Sequence, residues 1–514
     1  MKNIFYIKSV ILAGALLFFS SCDNRIYEEH ELVTDTSNVD YSSQAGAQAA
    51  LIGAYSSFND MGWEQLPLLG VRGDDVNSGG GSGTSYDQMP FHQIDMYQYD
   101  NTYWMTNSLW SVWYNHILQI TVQIEQLEKF RAGGVNSALI DQYQAECITM
   151  RAFLELELAR VWGAAYKVES SDQTKLTVET KDDIMKWIKS QLETAIPKLQ
   201  DMRPNQRTDL AGGITKYTAL AIKAMAELEL KDYAAVATDT GAIINSGKFN
   251  LFSDFNNLFK IPGKLANENL LEVQYSDFGT ASGLAVNHLW AFYGPTDWTP
   301  VVSGAGGGWG FWEPSEKYIK FMLSRGEKTR LQASVLFTPN GINLIKSDPN
   351  YATLPSWISN TTLEGDVILN QARLKFNSGK HYLPSNQLTS GRTDYGSNKN
   401  LIVIRYAEIL LMYAEAVTRG GAATAGTADA AVNLVRQRAG LSALSGVTSQ
   451  QVMDEKYAEL GMEWGIRYFD MVRLGNTSAL SYDGRTFTTE KAYLPFPSAQ
   501  VDKSKPLQEY IKSH

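Results

Sequence analysis

YTALAIKAMAELELKDYAAVATDTGAIINSG, residues 217–247, carries the repeating unit of the fold. Tyr217, Leu220, Ala224 and Leu228 recur at helical spacing, and the stripe stops at Lys231-Asp232. Tyr233, Val236, Ala237, Thr240 and Ile244 begin a second stripe that ends at Gly247. Small residues on the facing sides, Ala221 and Ala224 against Ala234 and Ala237, let the two helices approach closely. Together they span about the length of one tetratricopeptide unit.

The same rhythm continues on both sides. Downstream, Leu410, Tyr413, Ala414 and Val417, then Ala431, Leu434 and Val435, form a second pair between Tyr406 and Gly440. Met453, Tyr457, Leu460 and Trp464 mark a further helix. Upstream, one face is Ala47, Leu51, Ala54, Tyr55 and Phe58, with Ser43 as its cap. Others are Trp110, Trp113, Ile117, Ile120, Ile124 and Leu127, and Ile184, Ile188, Leu192, Ala195 and Leu199. Trp110 and Trp113 have core spacing. These stripes predict a mainly α fold, a superhelical scaffold of tetratricopeptide-like helix pairs.

Between about 249 and 400 the rhythm breaks. Gly, Ser, Asn, Pro and Thr rise, and the run SGAGGGWG ends at Gly310. Minor β structure is expected at Leu270–Tyr275 and Leu401–Ile404. A second irregular stretch, GDDVNSGGGSGTSYDQ, runs from Gly73 to Gln88. Long irregular segments on a rigid scaffold commonly carry function. The expected organisation is one domain over 41–514, with the scaffold at 41–248 and 401–514 and a loop-rich ligand face at 249–400.

The N-terminus points to export. MKNIFYIKSVILAGALLFFSS has a basic start, an apolar run from Val10 to Phe19 and small residues before Cys22. That is the pattern of a signal peptide over 1–21, too short for a spanning helix. Small residues leading into cysteine resemble a bacterial lipobox, which implies cleavage before Cys22 and its acylation. Several acyl chains on one residue anchor stably where one would not. Residues 22–40 then read as a lipidated N-terminus and an acidic tether. The other cysteine, Cys147, lies in an apolar helical pattern and reads as an inert core thiol.

The 514 residues carry a net charge of -10. That charge argues against nucleic acid, whose binding rests on cationic contacts to phosphate. The six histidines are scattered with no H-E-x-x-H, and no G-x-S-x-G elbow or phosphate-binding P-loop occurs. No metal, no cofactor and no catalysis are predicted.

Several later segments resemble the SusD/RagB family of outer-membrane nutrient-binding lipoproteins. They are LIVIRYAEILLMYAEAV from Leu401, NLVRQRAGL with Arg436, Arg438 and Gly440, IRYFDMVRLG with Arg467, Asp470 and Arg473, and LPFP from Leu494 to Pro497. Upstream, AALIGAYSSF, LWSVWYNHI and MRAFLELELARVWG fit as well. Thr121 stands where the family usually has Asn, and Leu474 where Trp is frequent. The resemblance implies a TonB-dependent (SusC-like) outer-membrane transporter as partner. It also implies a cell-surface location on a lipid anchor, and a glycan ligand or, in some members, a peptide. The arginine–carboxylate motifs read as structural: Arg467 can pair with Asp470 three residues on, and Glu459 and Glu463 can accept from Arg405 or Arg438.

A glycan site needs flat aromatic surface and a few amide, carboxylate or arginine groups. Trp290, Trp298, Trp309 and Trp312 lie close together in the irregular region, with Tyr293, Asn287 and Asp297 among them. Family resemblance adds the loop before the tryptophan helix: Tyr99, Asn101, Tyr103 and Trp104, with Arg72, Asp74 and Asp75 upstream. Trp312 also fits a plain packing role before a helix start, and each of Trp290, Trp298 and Trp309 fits core packing as well as stacking. The rival readings are peptide capture in the same family, a glycan-degrading lipoprotein, and a helical scaffold or adhesin.

Overall fold

The computed structural model describes residues 39–60, 67–82, 85–282, 292–392 and 397–514. The signal segment, Cys22, most of the tether, Asn287 and Trp290 lie outside these residues.

Ser43 Oγ accepts the Gly46 N–H at 3.2 Å and caps the helix Gln44–Asn59, as expected. The helices Trp104–Ala132, Ser137–Trp162, Lys181–Ala195, Lys216–Glu229 and Tyr233–Asn245 each pack on the next. The helix Tyr406–Thr418 then packs directly on Tyr233–Asn245, and Ala428–Arg438 and Ser449–Leu460 pack on it in turn. The helical stack is therefore continuous across the irregular region, which leaves after one helix and returns before its spatial neighbour. A β-carbon at Gly241, in that junction, would lie 2.1 Å from Thr424 Oγ1, so the close approach needs glycine.

A strand pair stitches the return. Asn269–Val273 runs antiparallel to Leu401–Arg405, with Leu401 opposite Val273 and Arg405 opposite Asn269. These are the two strands expected from the sequence. The other strands among the described residues are two to four residues long and pair only in twos.

One hydrophobic core runs from Ala47 to Leu507. Trp110 and Trp113 are buried in it, as their spacing predicts. Cys147 is also buried there, and burial pushes its thiol far up, which keeps it inert.

The core also encloses ions, and they are paired. Arg405 reaches Glu463 at 2.8 Å, Glu268 at 2.9 Å and Glu459 at 2.5 Å. Arg438 shares Glu268 and Glu459, and Lys380 shares Glu463 at 2.6 Å. Burial pushes the Glu459 carboxyl up, but Arg438, Arg405 and Arg330 outweigh that and hold it low.

The expected Arg467–Asp470 pair is not what forms. Arg467 Nε donates to Asp74 Oδ1 at 2.7 Å, while Asp470 takes Arg473 and Lys456, each at 2.6 Å. Helical spacing permits the local pair, but a buried carboxylate from the 73–75 loop competes for the arginine and would otherwise be left uncompensated.

Candidate functional site

The two glycine-rich stretches, far apart in sequence, meet in space. Residues 292–296 and 308–311 form an irregular hairpin: Phe311 N–H donates to Phe292 O at 3.0 Å, Gly310 to Gly294 O at 3.1 Å and Gly308 to Pro295 O at 2.7 Å. The 73–88 loop lies along it. Gly79 N–H donates to Phe311 O at 2.8 Å and Gly80 N–H to Gly310 O at 2.7 Å. The strand Val76–Ser78 continues this joint, antiparallel to Trp312–Pro314.

Glycine is needed at that joint. Gly80 has φ +83°, and a β-carbon there would lie 2.5 Å from the Phe311 ring. We expect Gly80→Ala to cost about 1–3 kcal/mol, from left-handed strain and overpacking. Denaturant unfolding of the variant checks this; an unchanged midpoint would mean the joint is loose.

The hairpin presents two half-buried tryptophans. Trp298 begins a two-residue strand opposite Val367–Ile368, and its ring meets Tyr382 edge-on, 6.0 Å between centroids. Trp309 follows the glycine run, and its backbone carbonyl accepts Arg373 NH1 at 3.2 Å. Arg373 also pairs with Asp87 and lies over the Phe311 ring at 5.6 Å. Thr296 Oγ1 donates to Gln371 Oε1 at 2.7 Å beside the exposed Asp297. Tyr86 stacks on His92 at 3.7 Å. The hairpin and the loops packed on it thus carry partly exposed aromatics together with carboxylate, guanidinium and amide groups. Asp87, Gln371 and Arg373 had no local sequence signal, because Asp87 and Arg373 are brought together only by the fold.

Other sequence candidates lie elsewhere. Arg72 is fully buried, its guanidinium stacked on Tyr468 at 4.3 Å. Asp74 is fully buried between Arg467 and Lys317, the latter at 2.9 Å. Asp75 is buried too, accepts the Met462 N–H at 2.6 Å, and is pushed up to about 6 by burial. These three fasten the loop to the C-terminal helices and offer a ligand no surface. Tyr99 is buried, with its hydroxyl on the Lys491 carbonyl. Tyr293 and Trp312 are buried as well, their rings perpendicular at 4.9 Å. They are core because this part of the irregular region packs into the main hydrophobic core of the helical scaffold. Trp104 is 46% exposed at the start of its helix, beside exposed Asn101 and half-buried Tyr103. That loop is fastened to the C-terminal segment, where the Ser498 N–H donates to Asn101 O at 2.8 Å.

Residues 286–511 match the family model described as the SusD family. Over that C-terminal stretch the chain is similar to the SusD family. A SusD-like protein of Bacteroides ovatus is 22% identical over 484 residues, covering 90% of this chain and 82% of the relative. Among solved structures, the surface glycan-binding protein A of Bacteroides fluxus superposes with a TM-score of 0.74 at 24% identity, over 90% of this chain and 97% of that one. The Bacteroides thetaiotaomicron surface glycan-binding protein A, solved in complex with laminarihexaose, gives 0.72 at 24% identity, over 90% and 98%. A laminarin-binding SusD-like protein gives 0.75 at 20% identity, over 90% and 98%. The chain thus shares the fold of these solved proteins, mainly helical with small sheets.

Among the described residues no group of three His, Cys, Asp or Glu is placed to hold a metal ion. No helix among them is long and apolar enough to cross a membrane.

Proposed function

We propose that this protein captures a polysaccharide or oligosaccharide at the cell surface and passes it to a TonB-dependent outer-membrane transporter without cleaving it. The observation that carries the reading is the glycine-joined hairpin presenting Trp298 and Trp309 beside Asp87, Asp297 and Arg373. The similar solved proteins named for glycans and laminarin support a glycan as ligand. Acylation at Cys22 would hold the protein at the outer membrane. Asp74 and Asp75, the adjacent acids of the sequence, face inward, so neither can protonate a glycosidic oxygen from solvent, as a glycosidase acid must.

The test is a binding panel on soluble protein beginning after Cys22. It comprises α-glucans, laminarin and other β-glucans, fructans, mannans, xylans, pectins and host glycans, with a peptide mixture as control. Saturable binding to one glycan class, with the glycan recovered intact, is the expected result. Binding of peptides alone would overturn the ligand class, and glycan cleavage would overturn the non-catalytic reading.

A further inference from the structure

A cavity of about 50 Å³, whose walls include neither Trp298 nor Trp309, is lined by Tyr293, Trp312, Lys380, His381, Lys399, Glu463 and Trp464 among others. At roughly 10–15 Å³ per water by the same measure, it holds about three to five waters, or one small group. A whole sugar ring does not fit.

Its walls are flat and donate hydrogen bonds. His381 stacks on Tyr293 with centroids 4.1 Å apart, and Trp312 lies 6.0 Å away at 60°. The Trp312 indole N–H is buried and finds no acceptor among the described residues. His381 Nδ1 is within 2.8 Å of Ser378 Oγ, which leaves the other ring nitrogen for a ligand. Lys380 Nζ is committed to Glu459 O at 2.8 Å, Gly461 O at 2.9 Å and Glu463 at 2.6 Å. Lys399 Nζ donates to the Lys380 carbonyl.

Three lysines crowd the site, and the one carboxylate among the described residues of its wall, Glu463, is already shared by Lys380 and Arg405. Burial, then Lys399, Lys380 and Lys260, hold the His381 imidazole well below its usual range. Burial and Lys260 do the same to the Lys399 amine. An orphan indole donor and crowded lysines are relieved together by one kind of guest: planar, anionic and rich in acceptors.

We propose that this cavity binds a carboxylate group, seated against Trp312 and His381 and held by the Trp312 N–H and Lys399. The carboxylate belongs either to a free short-chain acid or to an acidic sugar residue whose ring stays outside the cavity. The proposal is independent of laminarin-type capture, since a neutral glucan offers the cavity nothing.

The test is calorimetric titration of the soluble protein with acetate and with glucuronate, at matched ionic strength. Glucose and the methyl ester of glucuronic acid serve as neutral counterparts. Saturable binding of acid but not of its neutral counterpart is expected. Lys399→Met should weaken it about tenfold or more, the value of one charge-assisted hydrogen bond. Trp312→Phe, which keeps an aromatic wall and removes the N–H, should weaken it several-fold. Equal affinity for acetate and glucuronate would assign a free acid, and tighter glucuronate an acidic sugar. Thermal melting of the unmutated protein in acetate against chloride gives a second reading that needs no variant. No carboxylate-specific binding and no carboxylate-specific melting shift, or equal binding of the neutral compounds, would overturn the proposal.

Discussion

Arg405→Ala is expected to lower the unfolding free energy by about 3–5 kcal/mol, the usual cost of removing one partner from a buried ionic network. Arg405 is 1% exposed and bridges three carboxylates, Glu268, Glu459 and Glu463, that come from the strand-pair region and the C-terminal helices. Removing it leaves those carboxylates to Arg438, Arg330 and Lys380, which are already shared. The location matters as much as the count. Arg405 ends the strand that closes the irregular region and caps the helix that re-enters the stack, so its loss loosens the seam between the two.

The pH dependence has a definite sign. In the native protein Glu459 and Glu463 are held below the usual carboxylate range, so they contribute stability above the unfolded value that fades only as pH falls through the native one. In the variant that depression is reduced and burial pushes them up instead. They then take protons at mildly acidic pH, and the stability deficit narrows as pH falls from neutral. Denaturant unfolding at several pH values measures this. Arg131→Ala, which breaks exposed pairs with Glu128 and Asp141, serves as the contrast and should change stability by less than about 1 kcal/mol. A deficit in Arg405→Ala no larger than that would show the network to be incidental.

The sequence was legible where one period repeats. Helical stripes located the scaffold, Ser43 located a cap, and Trp110 and Trp113 read correctly as core because a helix of 29 residues offers the pattern many chances to appear. Glu459 and Glu463 were legible as acceptors for Arg405 or Arg438 because buried charge demands a partner. Arg467 was not, since its partner Asp74 lies 393 residues away. The loop-rich region failed differently. Its strands are mostly two or three residues long, too short for alternation to show which side chain faces in. Tyr293 and Trp312, adjacent in composition to Trp298 and Trp309, therefore looked alike in sequence and separate only in three dimensions. Asp87 and Arg373 carried no signal because a surface ion pair between two loops leaves no local pattern.

The double variant Trp298→Ala, Trp309→Ala is expected to weaken glycan binding by a hundredfold or more, if each ring contributes the roughly 2 kcal/mol of an interface hot spot. Both are half-buried, so each is fixed by packing while keeping an edge or face for a ligand, and a fixed ring loses little entropy on binding. Trp298 is braced by Tyr382, whose hydroxyl reaches the fully buried Asp366. Trp309 is braced through its backbone by Arg373. Truncating either ring leaves the Gly79–Phe311 and Gly80–Gly310 hydrogen bonds that hold the hairpin in place, so the fold should persist with a thermal midpoint lowered by the lost packing. Asp87→Asn separates recognition from support: it keeps the shape, removes the charge facing Arg373, and should change affinity by less than either tryptophan, because exposed ion pairs contribute little. Titration of the preferred glycan against these variants decides the matter. Undiminished affinity in the double variant would move the ligand to the exposed Trp104 loop, where Trp104→Ala would then carry the loss.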